Sequence, residues 1–462
     1  MRKRLVIGSV AGLLLVLAGV AAALYFSGRR EVTTSSEQAY RLYREAVENE
    51  RRFYFREARE GFARSLELDP QFAEAMLGLA RQTQGDQGLA LIKRAEKEKP
   101  HLTEREQFHV DLQLAGRQGR TEDQVRIARQ IHEKYPDDVR GAMALAGAEV
   151  RSGNAERAQQ IFRDLLAIEP NNAEVYNQIG YLYAYGGETD QAVENLRKYQ
   201  FMSPDQANPY DSLGEILAYA GRYDEAIANL QEALKRKPDF FESYRHLGVV
   251  YEGKGDWAKA IASYRKAAET TFLDEMRRDL LWAALRVAIR TRDLATAKEL
   301  LAEMARLPND RYADVRKVGE QAVIAYLEGR YAESEALLRD LKPKMQSVWA
   351  KEKTESDRKF YDPGLNYMMA RVLVAENKLD EALPLLEEMA SPPRIWNNFE
   401  ERRMVYEGRA LLAELVARRG DLERAEKLLA ENRRWNPSWA PTKSSEEVVA
   451  AVRRDKVLAA SR

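Results

Sequence analysis

The stretch "YRHLGVVYEGKGDWAKAIASY" (residues 244–264) is compatible with two different folds. Gly248 is followed, after four residues, by Gly253 and Lys254, which is how a phosphate-binding loop begins. The next position of such a loop is a hydroxyl that holds magnesium, and here it is Gly255. The loop must also follow an apolar strand, yet "FFESYRHLG" carries its large side chains at helical spacing. The stretch therefore predicts two helices joined by a turn, without a nucleotide site.

The same pattern returns every 34 residues along the chain. An alanine recurs at this interval, followed four residues later by a large apolar side chain, at Ala158, Ala192, Ala226 and Ala260. Each alanine is preceded by a glycine, at Gly153, Gly187, Gly221 and Gly255. Three units begin with "YNQIGYLY", "YDSLGEIL" and "YRHLGVVY", whose central glycines let the first helix approach the second closely. The later glycine allows the backbone turn that ends the first helix, and a proline stops the second.

This pattern resembles the tetratricopeptide repeat, a helix-turn-helix unit, and the match is strong over residues 139–272. The resemblance implies an all-α protein, a TPR-type α-solenoid in which helical pairs stack into a right-handed superhelix. It also implies that the first helix of each unit lines a concave groove, the surface with which such repeats bind other proteins.

The repeat pattern is weaker on both sides of this block. We expect divergent repeats over residues 37–138, irregular repeats over 273–441 and a C-terminal capping helix with a tail over 442–462. This makes about eleven units and leaves no room for a separate catalytic domain. Residues 342–364 form an insertion that we expect to be an extended helix plus a loop. It is either tolerated length at the solenoid edge or an elaboration that binds a partner.

The N-terminal residues have a different character. Three positive side chains precede residues 5–26, which carry no charge. At about 1.5 Å per residue this run is long enough to cross a hydrocarbon layer of roughly 30 Å. We expect a transmembrane signal anchor over residues 1–30 and a short linker over 31–36. The repeats would then be extracytoplasmic, periplasmic in a bacterium, because the positive end stays in the cytoplasm. The alternative is secretion after cleavage of a signal peptide.

The composition argues against several classes of function. Lys plus Arg and Asp plus Glu both number 73, so no long-range field attracts nucleic acid. Cysteine is absent, which removes thiol nucleophiles and thiolate metal ligands. The histidines are His101, His109, His132 and His246, and none has the spacing of a zinc site. We expect no catalytic residues, no cofactor, no metal and no small-molecule substrate, and for His246 an ordinary surface or packing role.

The candidate binding residues are the groove-facing positions of the three clearest first helices. They are Glu174, Asn177, Tyr181, Asn208, Asp211, Glu215, Glu242, Arg245, Val249 and Glu252. Acidic side chains dominate this set, which indicates a partner segment rich in Lys or Arg, with Tyr181 giving apolar contact. The alternative is a solvated groove without a fixed ligand, because exposed ion pairs contribute only about 0–1 kcal/mol each.

A second candidate surface is aromatic. Trp396, Trp435 and Trp439 occur near prolines and loops, where they either anchor an interface or seal the core between repeats. Together these features predict a membrane-anchored, non-enzymatic scaffold that binds other proteins. An assembly factor that holds clients transiently is the alternative, and an enzyme that uses groove carboxylates lacks a supporting motif.

Overall fold

The protein is described here by a computed structural model. The residues described are 32–83, 85–308, 312–352, 355–391 and 399–460. Within these ranges the chain forms α-helices and one short 3₁₀ helix, without a β-strand. The predicted all-α class is therefore confirmed.

The predicted membrane segment, residues 5–26, lies outside the described residues. No helix in the described part of the chain combines the length and the apolar character that a membrane crossing requires.

The chain divides into two compact units, one ending at Leu145 and the other beginning at Ala146. The N-terminal unit contains α1 (Glu37–Arg51), α2 (Phe55–Leu68), α3 (Ala73–Arg81), α4 (Gly85–Glu98), a 3₁₀ turn (Lys99–His101), α5 (Glu104–Arg117) and α6 (Thr121–Lys134). The boundary falls inside α7 (Val139–Arg151). The C-terminal unit continues with α8 (Ala155–Ile168), α9 (Ala173–Gly186), α10 (Thr189–Met202), α11 (Asn208–Tyr219), α12 (Tyr223–Arg236), α13 (Phe241–Lys254), α14 (Trp257–Thr270), α15 (Asp274–Thr291) and α16 (Leu294–Ala305). It ends with α17 (Ala313–Leu327), α18 (Tyr331–Glu352), α19 (Glu355–Ala375), α20 (Leu379–Ala390), α21 (Phe399–Arg418), α22 (Leu422–Trp435) and α23 (Ala440–Ala460).

The small residues of the repeat lie where two helices approach closely. Gly248 is in the middle of α13, and a Cβ atom placed there would lie 2.6 Å from the Tyr264 ring on α14. The corresponding distance at Gly214 is 2.7 Å to Leu230 on α12. Because real Cβ atoms do not approach other atoms this closely, glycine permits the observed packing of first and second helices. The phosphate-loop alternative fails here, since helix rather than strand surrounds Gly248.

The glycines between the paired helices adopt the conformation that the pattern predicts. Gly187, Gly221 and Gly255 have φ of +84°, +77° and +77°, in the left-handed region that side chains other than glycine rarely adopt. Gly187 and Gly255 each form the C-cap of the preceding helix. In each repeat of this block, a glycine thus fixes the turn between the first helix and the second helix.

Of the extended helix plus loop expected over residues 342–364, the extended helix is confirmed and most of the expected loop is helical instead. Helix α18 continues to Glu352, and α19 begins at Glu355. The helix extends through Pro343 because Leu338, Leu341 and Met345 recur at helical spacing and are all buried. Apolar periodicity therefore outweighs the local signals of proline and charge in this segment.

Candidate binding surface on the first helices

The first helices of adjacent central repeats pack side by side. Helix α11 contacts both α9 and α13, and each of them packs against its own second helix. We use the name first-helix surface for the predicted groove positions of α9, α11 and α13, together with Arg290 on α15. Except for Glu252, these groove positions form three sets spaced 34 residues apart on successive helices, and Glu252 also contacts Tyr264 on its own second helix.

A chain of polar contacts crosses this surface from α9 to α13. The Tyr181 hydroxyl donates to Glu215 Oε2 at 2.5 Å. His246 Nδ1 lies 3.0 Å from Asp211 Oδ1, and Nε2 lies 3.1 Å from Glu215 Oε1. Ser243 Oγ donates to Asp211 at 2.7 Å. We call these five residues the central polar ladder; it places one imidazole between two carboxylates.

The electrostatics of the ladder follow from burial and from these pairs. Burial alone would lower the pKa of His246, but the charges of Asp211 and Glu215 outweigh it and raise the pKa to about 9. Burial would raise the pKa of Glu215, but the imidazolium charge of His246 lowers it to about 2. Arg245 Nη2 lies 2.6 Å from His246 Nε2 and opposes its protonation. Two carboxylates prevail over one guanidinium, so the pKa of His246 lies above its usual value.

The pKa of Glu242 is shifted in the opposite direction to that of Glu215. Burial raises its pKa to about 8, and the nearby charge of Asp211 acts in the same direction. Its Oε2 atom is buried and has no hydrogen-bond partner, and the same is true of Asn177 Oδ1. Two buried oxygens on the first-helix surface therefore lack a donor.

The predicted binding residues divide by exposure. Asn177, Asn208, Asp211, Glu215 and Glu252 are buried, as is Val249. Glu174, Tyr181, Glu242 and Arg245 are half-buried. Asn208 donates to the Tyr199 hydroxyl at 3.0 Å, and the Tyr181 hydroxyl is committed to Glu215. Most of the set is joined by contacts within the chain, and its binding of a partner stays a prediction.

Glu252 is paired with an arginine far away in the sequence. Arg403 on α21 places Nη1 2.9 Å from Glu252 Oε2, and the Tyr264 hydroxyl donates to the same oxygen at 3.1 Å. Arg403 is 0% exposed and Glu252 is 1% exposed. The neighbouring Arg402 donates to the carbonyl oxygens of Tyr185 at 2.6 Å and Ala184 at 3.4 Å. Arg402 and Arg403 of the same chain therefore contact the first-helix surface that the sequence predicted to be an acidic groove.

The predicted aromatic surface is packed against the same repeats. Trp435 stacks on Tyr406, with ring centroids 4.4 Å apart, and lies 6.1 Å from Tyr219. Trp439 is buried at 1% exposure and belongs to the apolar core of the central repeats. Trp396 lies outside the described residues. The position of Trp439 agrees with the alternative in which these residues seal a core.

A second polar ladder occurs in the N-terminal unit. His109 Nδ1 lies 2.7 Å from Glu74 Oε1, and Nε2 lies 2.8 Å from Asp138 Oδ2. Arg140 Nη1 donates to Glu74 at 2.6 Å, and Tyr43 lies 3.4 Å from the same carboxylate. The His109 pKa is raised because these carboxylates outweigh burial. The arrangement of one imidazole between two carboxylates therefore occurs in both units.

Sequence reasoning named Asp211, Glu215 and Glu252 but missed their cationic partners, His246 and Arg403. Of the surface or packing role expected for His246, the surface role is wrong, because the residue is buried and its partners are 31 and 35 positions away. Aligning the repeats at 34 residues would have placed Asp211 and Glu215 beside it. No such alignment finds the pair of Arg403 with Glu252, which are separated by 151 positions. Within the described residues no cluster of three or more His, Asp or Glu side chains could hold a metal ion.

Paired helices and a polar first-helix surface define a helical-repeat protein. Two family models, both described as tetratricopeptide repeat, match residues 173–206 and 212–272. These two segments therefore match the tetratricopeptide repeat, as the spacing predicted.

Several solved structures are similar to this chain. MamA has 23% identity over 34% of this chain and 93% of that one, with a TM-score of 0.29. The APC/C hetero-tetramer Cut9-Hcn1 has 16% identity over 95% of this chain and 81% of that one, with a TM-score of 0.46. PilF of Pseudomonas aeruginosa has 18% identity over 46% and 96%, with a TM-score of 0.35. No curated protein matches. With TM-scores below 0.5, these structures indicate no function for this chain.

Proposed function

We propose that this chain is a membrane-anchored scaffold that binds other proteins through its tetratricopeptide repeats and catalyses no reaction. The repeat family supports protein binding in general. The uncharged run of residues 5–26 supports anchoring, with the repeats on the extracytoplasmic side.

The observation that carries the binding proposal is the pair of buried oxygens without a donor, Asn177 Oδ1 and Glu242 Oε2. A buried acceptor without a partner costs about 1–3 kcal/mol, so supplying a donor is favourable. A Lys or Arg side chain of a partner is such a donor, and Asp211 adds negative charge near Glu242. The partner that fits is therefore a protein segment that carries Lys or Arg.

Glu242 provides a specific test of this proposal. Its pKa is raised to about 8, so a cation that binds beside the ionised carboxylate must displace its proton at neutral pH. Affinity for a cationic segment should rise as pH increases toward 8 and then level off. We would measure the binding of a hexa-arginine peptide to the full chain in nanodiscs from pH 6 to pH 8.5, by fluorescence anisotropy.

The matched control is Glu242→Gln, which keeps the shape but removes the titration. It should bind the peptide more weakly and without the rise in affinity. Glu194→Gln, on the exposed face of α10, should behave like the wild type. Equal binding by wild type and Glu242→Gln at every pH would exclude the cationic partner at this surface.

Anchoring and orientation need a separate test. The chain has no native cysteine, so a single Arg41→Cys or Glu194→Cys gives a unique label at an exposed position. Both should react with a membrane-impermeant maleimide added outside intact spheroplasts. Protection of both sites, with labelling only after lysis, would overturn the extracytoplasmic placement.

A further inference from the structure

Helix α21 presents two neighbouring arginines to the first-helix surface. Arg403 is paired with Glu252 on α13, and Arg402 donates to the last carbonyls of α9. One turn further along α21, Glu407 lies 3.0 Å from Arg290 on α15. Three successive contacts from one helix therefore join three first helices, and each is made by a charged side chain.

The following residues extend this contact to the turns between the paired helices. Asn436 accepts from the Tyr223 hydroxyl at 3.3 Å and donates to the Ala218 carbonyl at 3.3 Å. Trp435 lies beside Tyr219 at the end of α11. Helices α21, α22 and α23 also pack against one another, so they form one block, which we call the C-terminal block.

Two of these contacts are charged on both sides, and Trp435 and Trp439 add apolar contacts. Glu252 and Arg290 belong to the central repeats, and Arg402, Arg403 and Glu407 belong to the C-terminal block. Permanent interfaces are mostly apolar, whereas buried ion pairs gain little over their separated, hydrated state. The Coulomb energy gained by such pairs roughly balances the cost of their desolvation. Another helix with the same charges could therefore replace the ion pairs of α21 with little net change, while the apolar contacts of Trp435 and Trp439 are the part that a partner must compensate.

We propose that the first-helix surface is a binding site for a helix that carries two neighbouring arginines, and that α21 occupies this site from within the chain. A partner protein with such a helix binds by displacing the C-terminal block. The inference rests on the proposed function only in assuming an outside partner, because occupancy of the site is measured with the chain's own segment.

The probe is a fluorescein-labelled peptide of residues 399–418, "FEERRMVYEGRALLAELVAR", added to the full chain. The double variant Arg402→Ala with Arg403→Ala weakens the internal contact. It should bind the peptide at least ten times more tightly than the wild type does. A peptide with alanine at both arginine positions should bind neither protein. If the peptide binds the double variant no more tightly than it binds the wild type, the proposal is overturned.

A second measurement leaves both arginines in place, in case the double variant does not fold. A Cβ atom at Gly255 would lie 3.4 Å from the Cβ atom of Ala440, close to the usual separation of about 3.8 Å in a disulfide. Gly255→Cys with Ala440→Cys should therefore lock the C-terminal block against the central repeats when oxidised. The positive φ of Gly255 strains the cysteine, but equally in the oxidised and reduced forms and in the Gly255→Cys control, so their comparison is unaffected.

At saturating concentration the peptide should bind the reduced form and not the oxidised form. Gly255→Cys alone, which cannot form the lock, should bind in both conditions. Equal binding by the oxidised and reduced double-cysteine proteins overturns the displacement of α21. Failure of the Glu242 test alone would remove the cationic site near α13 and leave this result unaffected.

Discussion

Replacing His246 with glutamine should remove a large part of the pH dependence of stability in the C-terminal unit. The His246 ring is 2% exposed and lies between the carboxylates of Asp211 and Glu215. Its folded-state pKa is about 9, against 6.5 for an unperturbed imidazole. A difference of about 2.5 units corresponds to roughly 3 kcal/mol, at about 1.4 kcal/mol per unit.

The sign follows from the direction of this shift. A group whose pKa is raised by folding stabilises the folded state fully below its unfolded pKa, here about 6.5. That contribution is lost as the pH rises through about 9. The wild type should therefore lose roughly 3 kcal/mol of unfolding free energy from His246 over this interval. Glu242, whose pKa is raised to about 8, adds a loss of the same sign between about pH 4.5 and 8 in both proteins.

The assay is urea denaturation followed by circular dichroism at pH 6, 7, 8, 9 and 10. The quantity of interest is the difference between wild type and His246→Gln, which should shrink as the pH rises. His101→Gln, at an exposed position of the N-terminal unit, is the matched control and should follow the wild type. A constant difference between wild type and His246→Gln across this range would falsify the assignment of a charged imidazole.

Four further single substitutions test packing and burial. Gly214→Ala should destabilise the chain by about 1 kcal/mol, because overpacking against the second helix costs about 1–3 kcal/mol and the gain in helix propensity is about 1. Gly147→Ala should instead stabilise the chain by up to about 1 kcal/mol, because the nearest atom to the added Cβ would be 3.5 Å away. The urea midpoints of the two variants should therefore move in opposite directions from that of the wild type. Arg403→Ala should cost about 3–5 kcal/mol by leaving Glu252 buried without its cation, and adding Glu252→Ala should recover part of that loss in a double-mutant cycle. Ser65→Ala should cost about 1 kcal/mol, measured as a lower urea midpoint, because its hydroxyl donates to a carbonyl of α1 at 2.8 Å.

The repeat could be predicted from the sequence because its determinants are local. Gly187, Gly221 and Gly255 reflect a backbone conformation, and Gly214 and Gly248 reflect a close contact between two helices adjacent in the chain. Each requirement acts within about twenty residues, so it leaves a periodic trace.

The chemistry of the surface could not be predicted in the same way. Asp211, Glu215 and Glu252 read as exposed acidic groove residues because a sequence shows charge but not its partner. Their cations come from the next repeat, at His246, or from a distant helix, at Arg403. Such pairs depend on how repeats stack, and the consensus does not encode this.

The central polar ladder also determines where this protein can be divided. Tyr181, Glu215 and His246 come from three consecutive repeats, and each is buried or half-buried and paired with a residue of a neighbouring repeat. A fragment that stops after the second of these repeats would retain Glu215 without the imidazolium that neutralises it. Neighbouring repeats should therefore melt together, and expression boundaries drawn between α9 and α14 should give insoluble or partly unfolded products.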